Sequence, residues 1–254
     1  MQWFDDLCEY YNVDAMTAIN LGTRSKGRKP NLPGSKTCQP VSDMTFEEIW
    51  DSKPRDTTEG KMQFYKDLGS WLCFRQCVYR KDFSVDKFIE HIDFNREKLN
   101  ICEYGCGVSM FVNNMIEKVG GENIPDNITF HLVDVVGEHL EFAKWRLKKK
   151  APNANFVFYE IDSENMVPKF KEKLDFIVIL DVLEHVPNPY DVLKNIHENS
   201  NDGATLFETW IKVNEPGYSD LKESADERDM TMKFFEENFI KFASGGDIRG
   251  HKKK

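Results

Sequence analysis

Leu99-Asn100-Ile101-Cys102-Glu103-Tyr104-Gly105-Cys106-Gly107 is the stretch that decides the fold. Leu99–Glu103 reads as a strand, and Gly105-Cys106-Gly107 closes it with a turn. Glycines at such a turn let the backbone bend tightly and let a ligand approach without a Cβ in the way. Alone, a Gly-x-Gly is also an ordinary tight turn. Its meaning depends on the residues C-terminal to it.

In those residues strand and helix patterns alternate. Val108–Val119 predicts a helix with Phe111, Met115, Ile116 and Val119 on one side, stopped by Gly120-Gly121. Ile128–Val133 predicts a second strand, ended by Asp134. Gly137–Lys150 predicts a helix with Leu140, Ala143 and Leu147 inward. Its last residues, Lys148-Lys149-Lys150, suit the negative end of the helix dipole. Asn155–Ile161 reads as a third strand before Asp162. Phe176–Leu180 is the fourth, and its unbroken apolar run suits a strand covered on both faces, as in a parallel sheet. Pro189–Glu198 reads as a helix and Ala204–Val213 as a fifth strand. Beyond it only one helical stretch stands out, about Met230–Ala243. The sheet is therefore expected either to stop after strand five or to hold patternless strands near 213–220 and 237–248. The fold class is α/β, a doubly wound, Rossmann-like, mostly parallel sheet.

Residues 1–95 read differently, as helical patches around a polar connector at Gly22–Pro40. A helix is predicted from Thr58 to about Arg80, with Met62, Tyr65, Leu68, Leu72 and Val78 near helical spacing. The expected division is a mainly helical N-terminal cap over 1–95 and a catalytic domain over 96–254.

Bulk properties narrow the classes. The chain has 254 residues and a net charge of −9, so global steering towards phosphate is unfavourable. None of its six cysteines forms a CxxC pair, and all are expected to be reduced thiols in a cytoplasmic protein. The first residues do not read as a signal peptide. The longest apolar run, Phe176–Leu180, is too short to span a bilayer, so no membrane partner is expected.

In a doubly wound sheet the ligand lies beyond the carboxyl ends of the strands. Here those ends carry Glu103-Tyr104-Gly105-Cys106-Gly107, Asp134, Asp162 and Asp181 in succession. Asp134 suits two vicinal hydroxyls, and Asp162 suits an amino group. A dinucleotide site would want Gly-x-Gly-x-x-Gly, but the third position here is Met110. The acid at Glu103 would repel a pyrophosphate and attract a cationic sulfonium or ammonium.

Leu99–Gly107 resembles the first motif of the class I methyltransferases. Leu174–Pro189, with Asp181-Val182-Leu183-Glu184-His185-Val186-Pro187, is similar to their fourth-strand motif in the group containing the ubiquinone-pathway O-methyltransferases. The resemblance covers roughly residues 97–215. It implies a seven-stranded sheet and S-adenosyl-L-methionine as cofactor. It implies that Glu103, Gly105, Cys106 and Gly107 hold the methionine part and that Asp134 and Val135 hold the ribose. It further implies Asp162 and Ser163 at the adenine, and Asp181 near the cofactor amino group or the substrate. Ser109 departs from the pattern, standing where many members carry a third glycine. An N-terminal helix often closes over the cofactor in this family, which brings in Tyr65 and Arg75; the alternative for its aromatics is plain packing.

His185 and Asp181 are the candidate catalytic residues, His185 because its ordinary pKa suits a general base. The other reading of Glu184 and His185 is that they cap or pack. Asp181, Glu184 and His185 also resemble a metal-binding pattern of some O-methyltransferases, but that pattern needs a further ligand, and no metal is expected. The expected function is methyl transfer to an oxygen, nitrogen or carbon of a small-molecule acceptor. DNA is excluded as substrate by the missing Pro-Pro-aromatic and Pro-Cys motifs. The alternatives are an RNA- or protein-modifying enzyme, with basic Arg24, Lys26, Arg28, Lys29 and Lys36 as tether, and a non-catalytic cofactor-binding protein.

Overall fold

A computed structural model describes residues 2–16, 46–79, 83–210, 220–245 and 247–254. The connector at 22–40, with its basic cluster, lies outside the described residues. Helices α1 (Gln2–Tyr11), α2 (Phe46–Asp51), α3 (Thr58–Tyr79) and α4 (Asp86–Ile89) precede the sheet. Next come β1 (Leu99–Tyr104), α5 (Met110–Val119), β2 (Ile128–Val135), α6 (Glu138–Lys150), β3 (Asn155–Ile161), β4 (Leu174–Leu180), α7 (Pro189–Glu198) and β5 (Ser200–Thr209). Helix α8 (Lys222–Asn238) and strands β6 (Phe239–Gly245) and β7 (Ile248–Lys253) complete the chain.

The strands form one seven-stranded sheet in the order β3-β2-β1-β4-β5-β7-β6. The five strands β1 to β5 are parallel, whereas β7 runs antiparallel to both β5 and β6. Strand order reverses between β1 and β4, so the crevice beyond their carboxyl ends is the expected ligand position.

Alternation along β1 and β4 explains the burial. Leu99, Ile101, Phe176 and Val178 pack with α4, α5 and α6 through Phe88, Phe111 and Leu140. Cys102, Tyr104, Ile177 and Ile179 pack on the other face with Val192, Leu193 and Ile196 of α7 and Phe235 of α8. Both faces are covered, which is why the strand sequences read as continuous apolar runs.

Helices α1 and α3 pack against the turn after β1 and against α6. Leu7 and Tyr11 of α1 and Cys73 and Cys77 of α3 cluster with Val108, Met110 and Phe142. Helix α3 is not continuous as expected: it bends at Gly69, whose φ of 50° and ψ of −135° lie outside helical geometry. Only glycine takes that conformation without strain. The bend separates a first half packed on α2 through Phe64, Leu68 and Ile49 from a second half packed on α1.

The sheet is not truncated after strand five. The expected helix over Met230–Ala243 ends at Asn238, and the chain turns directly into β6. Strand β7 is polar because its partner groups are polar. Glu208 of β5 is fully buried and accepts two hydrogen bonds from Arg249, at 2.6 and 2.8 Å, and lies 3.0 Å from Nε2 of His251. That pairing fixes the C-terminal hairpin on β5, where an apolar pattern would ordinarily do so.

Removing one partner from a buried pair leaves a charge stranded in low dielectric. Arg249→Met is therefore expected to lower unfolding stability by about 2–4 kcal/mol. The double variant Arg249→Met, Glu208→Leu should recover most of that loss. Urea unfolding of the single and double variants checks both values.

Candidate active site

The turn after β1 is held from beneath by Glu103. Its buried carboxylate accepts the Ser109 hydroxyl at 2.7 Å and the N–H groups of Phe111 at 3.0 Å and Val112 at 3.1 Å. Those N–H groups belong to the first turn of α5, where helix donors lack intrahelical partners. Burial pushes the carboxyl pKa up, and these donors oppose the push. Glu103 thus acts as a helix cap reaching across from the strand, and the cation expected beside it finds its oxygens already engaged.

Gly105, Gly107 and Ser109 all have positive φ, at 65°, 54° and 54°. A Cβ on Gly105 would lie 2.2 Å from a methyl of Val182, and one on Gly107 would lie 2.5 Å from the amide of Gln76. The first glycine lets the β4 loop close on the turn, and the second lets α3 close on it. Gln76 Oε1 then accepts the Val108 N–H at 3.0 Å. From the far side, fully buried Arg146 of α6 donates to the carbonyls of Val108 and Ser109. The turn is clamped from three elements.

Asp134, at the end of β2, accepts the N–H of Gly107, the N–H of Val135 at 2.7 Å, and a contact from Nε2 of His139 at 3.1 Å. Asp181 ends β4 with a φ of 55°, uncommon for a residue bearing a Cβ. Thr209 of β5 holds it there: its hydroxyl oxygen accepts the Asp181 N–H at 2.6 Å, and the hydroxyl donates to the Asp181 carboxylate at 2.7 Å.

These ends surround a cavity of about 500 Å³. Glu103, Tyr104, Gly105, Cys106, Asp134, Val135, Asp181 and His185 line it, and α3 roofs it with Tyr65, Leu68, Leu72 and Arg75. Its size falls within the ~300–1,000 Å³ range of small-molecule sites. Most of the residues picked from sequence are therefore together. Three are not part of this lining. Gly107 is covered by Gln76. Asp162 turns its carboxylate onto its own loop, accepting the N–H of Glu164 at 2.9 Å and of Asn165 at 2.8 Å, which lowers its pKa. Ser163 is exposed beside it. At the β3 end the lining comes instead from Ile161 and Met166.

Sequence reasoning missed Gln76, His139 and the chemical standing of Glu184. Glu184 lies on the short helical turn Leu183–His185 after β4, is only 8% exposed, and lines the cavity. Its Oε2 meets no hydrogen-bond donor among the described residues. Burial pushes its pKa up to about 7; His185 opposes the push, and Asp181 and Asp220 add to it. Beside it, Nδ1 of His185 lies 3.4 Å from Asp220. Tyr65 faces this end from α3, and its hydroxyl pKa is raised by burial and then by Asp134, Glu184 and Asp220. Arg75 stacks on Trp71, 5.6 Å from the ring centre. No group of three or more His, Cys, Asp or Glu residues able to hold a metal occurs among the described residues.

The methyltransferase-domain family matches residues 95–239, more than half of the chain. No curated protein sequence matches it. Among solved structures, an O-methyltransferase family protein from Burkholderia thailandensis is similar over 97% of this chain and 86% of its own, at 10% identity and a TM-score of 0.53. A SAM-dependent methyltransferase from Aquifex aeolicus is similar over 77% and 97%, at 14% identity and a TM-score of 0.48. At these identities the likeness is one of fold. The family match agrees with a glycine turn, a strand-two acid and a strand-four acid meeting in one cavity. The chain belongs to the class I methyltransferases, the enzymes that use S-adenosylmethionine.

Proposed function

We propose that the cavity holds S-adenosylmethionine against the Glu103–Gly107 turn and admits a small-molecule acceptor beneath α3. The observation that carries this reading is the single cavity joining Gly105, Asp134 and Asp181 to the unpartnered carboxylate oxygen of Glu184. When bound, the cofactor supplies a methyl group made electrophilic by its sulfonium.

The chain's own residues fit that group. Gly105 leaves the turn bare of a side chain, and Cys106 follows it as a small buried filler. Asp134 stands for the ribose hydroxyls, already oriented by three donors. Val135, Ile161 and Met166 offer an apolar slot for the adenine, in place of Asp162 and Ser163. Asp181 stands between this half and the acceptor half. Helix α3 supplies Met62, Tyr65 and Leu68 as the acceptor wall and excludes water, so that reactants are held near attack distance. His185 or Glu184 takes the proton that the acceptor must lose; both border the cavity, and an acid with a pKa near neutrality suits that task.

Calorimetry with S-adenosylhomocysteine tests the reading. The wild-type protein is expected to bind, and Asp134→Ala to weaken binding by about 10- to 100-fold, the worth of charge-assisted hydrogen bonds. No heat of binding at about millimolar ligand would remove the proposal.

The raised pKa of Glu184 also sets a stability signature. The folded state holds its proton up to about pH 7, whereas an unfolded carboxyl releases it near its ordinary value of 4.5. Stability is therefore highest below that ordinary value, falls as pH rises between the two values, and stays lowered above about 7. Glu184→Gln should melt at a higher temperature than wild type near pH 8, by a margin on the order of 1–3 kcal/mol, with the difference shrinking towards pH 4.5. Thermal melts across pH measure it; a constant difference refutes the assignment.

A further inference from the structure

We propose that the acceptor is an amine, held as its ammonium by Glu184. This rests on the cofactor reading above and specifies the other half of the same cavity.

The acids around the cavity divide into two kinds. Glu103 and Asp134 are each met by backbone N–H donors, so their charge is answered within the chain. Glu184 is answered only in part: His185 and its own backbone N–H favour its charge, but it is 8% exposed, it borders the cavity, and Oε2 has no donor among the described residues. A buried carboxylate oxygen left in that state costs the fold several kcal/mol unless a ligand answers it.

The surrounding charges choose the ligand. Glu184 feels Asp181 from the end of β4, His185 from its own turn and Asp220 from the segment before α8. Tyr65 faces it from α3. Arg228 of α8 also lies within electrostatic reach; its Nη2 donates to the Trp210 carbonyl at 3.1 Å and its guanidinium carbon lies 4.7 Å from the ring centre, while its buried Nη1 makes no hydrogen bond to Glu184 or to any other described residue. Lys61, also on the lining, pairs with Glu223. Asp181 and Glu184 on the lining, with Asp220 nearby, give this end of the cavity, among the described residues, an acidic character that favours positive charge over a neutral hydroxyl. Tyr65 and Val182 provide apolar walls for the group carrying it.

The proton balance closes with groups of this chain. An ammonium has no lone pair and cannot be methylated as such. One N–H bond breaks, an O–H bond forms on Glu184 Oε2, and the electron pair stays on nitrogen, free to react.

The test is binding to the protein loaded with S-adenosylhomocysteine, with benzylamine and benzyl alcohol as isosteric probes. Benzylamine stays an ammonium throughout the range used. At about pH 8 the ammonium should bind at least tenfold tighter than the alcohol, the worth of one charge-assisted hydrogen bond. The preference should shrink as pH falls through about 7 and Glu184 takes up a proton, while alcohol binding stays flat. In Glu184→Gln the preference should fall below about twofold. Equal affinity for the two probes overturns the proposal, as does a preference unchanged in Glu184→Gln. So does a Glu184→Gln variant that loses only its preference for S-adenosylmethionine over S-adenosylhomocysteine, which would assign the carboxylate to the cofactor's charge. Should that variant not fold, the pH dependence of the wild-type preference decides alone, and a flat profile overturns it. Failure of S-adenosylhomocysteine to bind at all is a different result and defeats the cofactor reading itself.

Discussion

The carboxylate of Glu103, buried at the end of β1 and bonded to the first turn of α5, is the constraint on which the site depends. A strand ending beneath a helix start leaves two problems: an acid without solvent and amides without partners. Each solves the other. The bond also fixes how far α5 stands from the strand, because three donors converge on one carboxylate. With that distance set, the chain between them has only five residues to turn in, and it does so through left-handed conformations at Gly105, Gly107 and Ser109. The glycine turn is thus a geometric consequence of a cap.

Closure of the site is governed by absent atoms. The missing Cβ of Gly105 admits Val182, and the missing Cβ of Gly107 admits Gln76. Helix α3 can therefore lie on the turn and roof the cavity, while its bend at Gly69 lets its two halves pack on different partners. The N-terminal region thereby touches both the turn and α6. Its apolar residues Cys73 and Cys77 complete a core with Phe142 of α6, and its polar residue Gln76 completes the hydrogen bonding of the turn.

How much of this was open to reading from sequence depends on whether a residue's partner was local. Strands β1, β2 and β4 announced themselves because burial on both faces demands mostly apolar residues, whereas β3, at the sheet edge and largely half-buried, was marked by its aromatic and β-branched residues. The glycine turn and the strand-end acids Asp134 and Asp181 were readable for the same reason, since their places follow from strand periodicity alone. Strand β7 was not, because its buried residues are Gly250 and His251, one on each face, and its anchor is Arg249 on Glu208, forty-one positions away. Strand β6 buries only Phe239 fully, so no alternation marks it. Asp162 follows β3 as expected, but position after a strand does not fix direction: its carboxylate accepts two N–H groups of its own loop. Gln76 lay in a helix whose apolar residues drew attention, and no pattern tells which polar residue of a helix will meet a distant backbone amide.

The acids at the strand ends are not equivalent, and the difference between them sorts the two halves of the cavity. A carboxylate can be buried cheaply where helix starts or tight turns present N–H groups, and the ends of β1 and β2 both do so: Glu103 and Asp134 each accept two backbone donors. The end of β4 differs. Asp181 is held by a side chain, Thr209, and the short helical turn after it gives Glu184 Oε2 no donor. Along the half of the cavity that the glycine turn defines, negative charge is met by the backbone; along the half that faces α3, Asp181 is met by Thr209 and Glu184 Oε2 has no donor among the described residues. Such a gradient lets a single cavity treat two ligands differently. One half is preorganised to accept hydroxyl and apolar groups with little further change in charge. On the reading proposed above, the other half gains most when something positive arrives, so that acceptor recognition and proton removal would fall to the same oxygen.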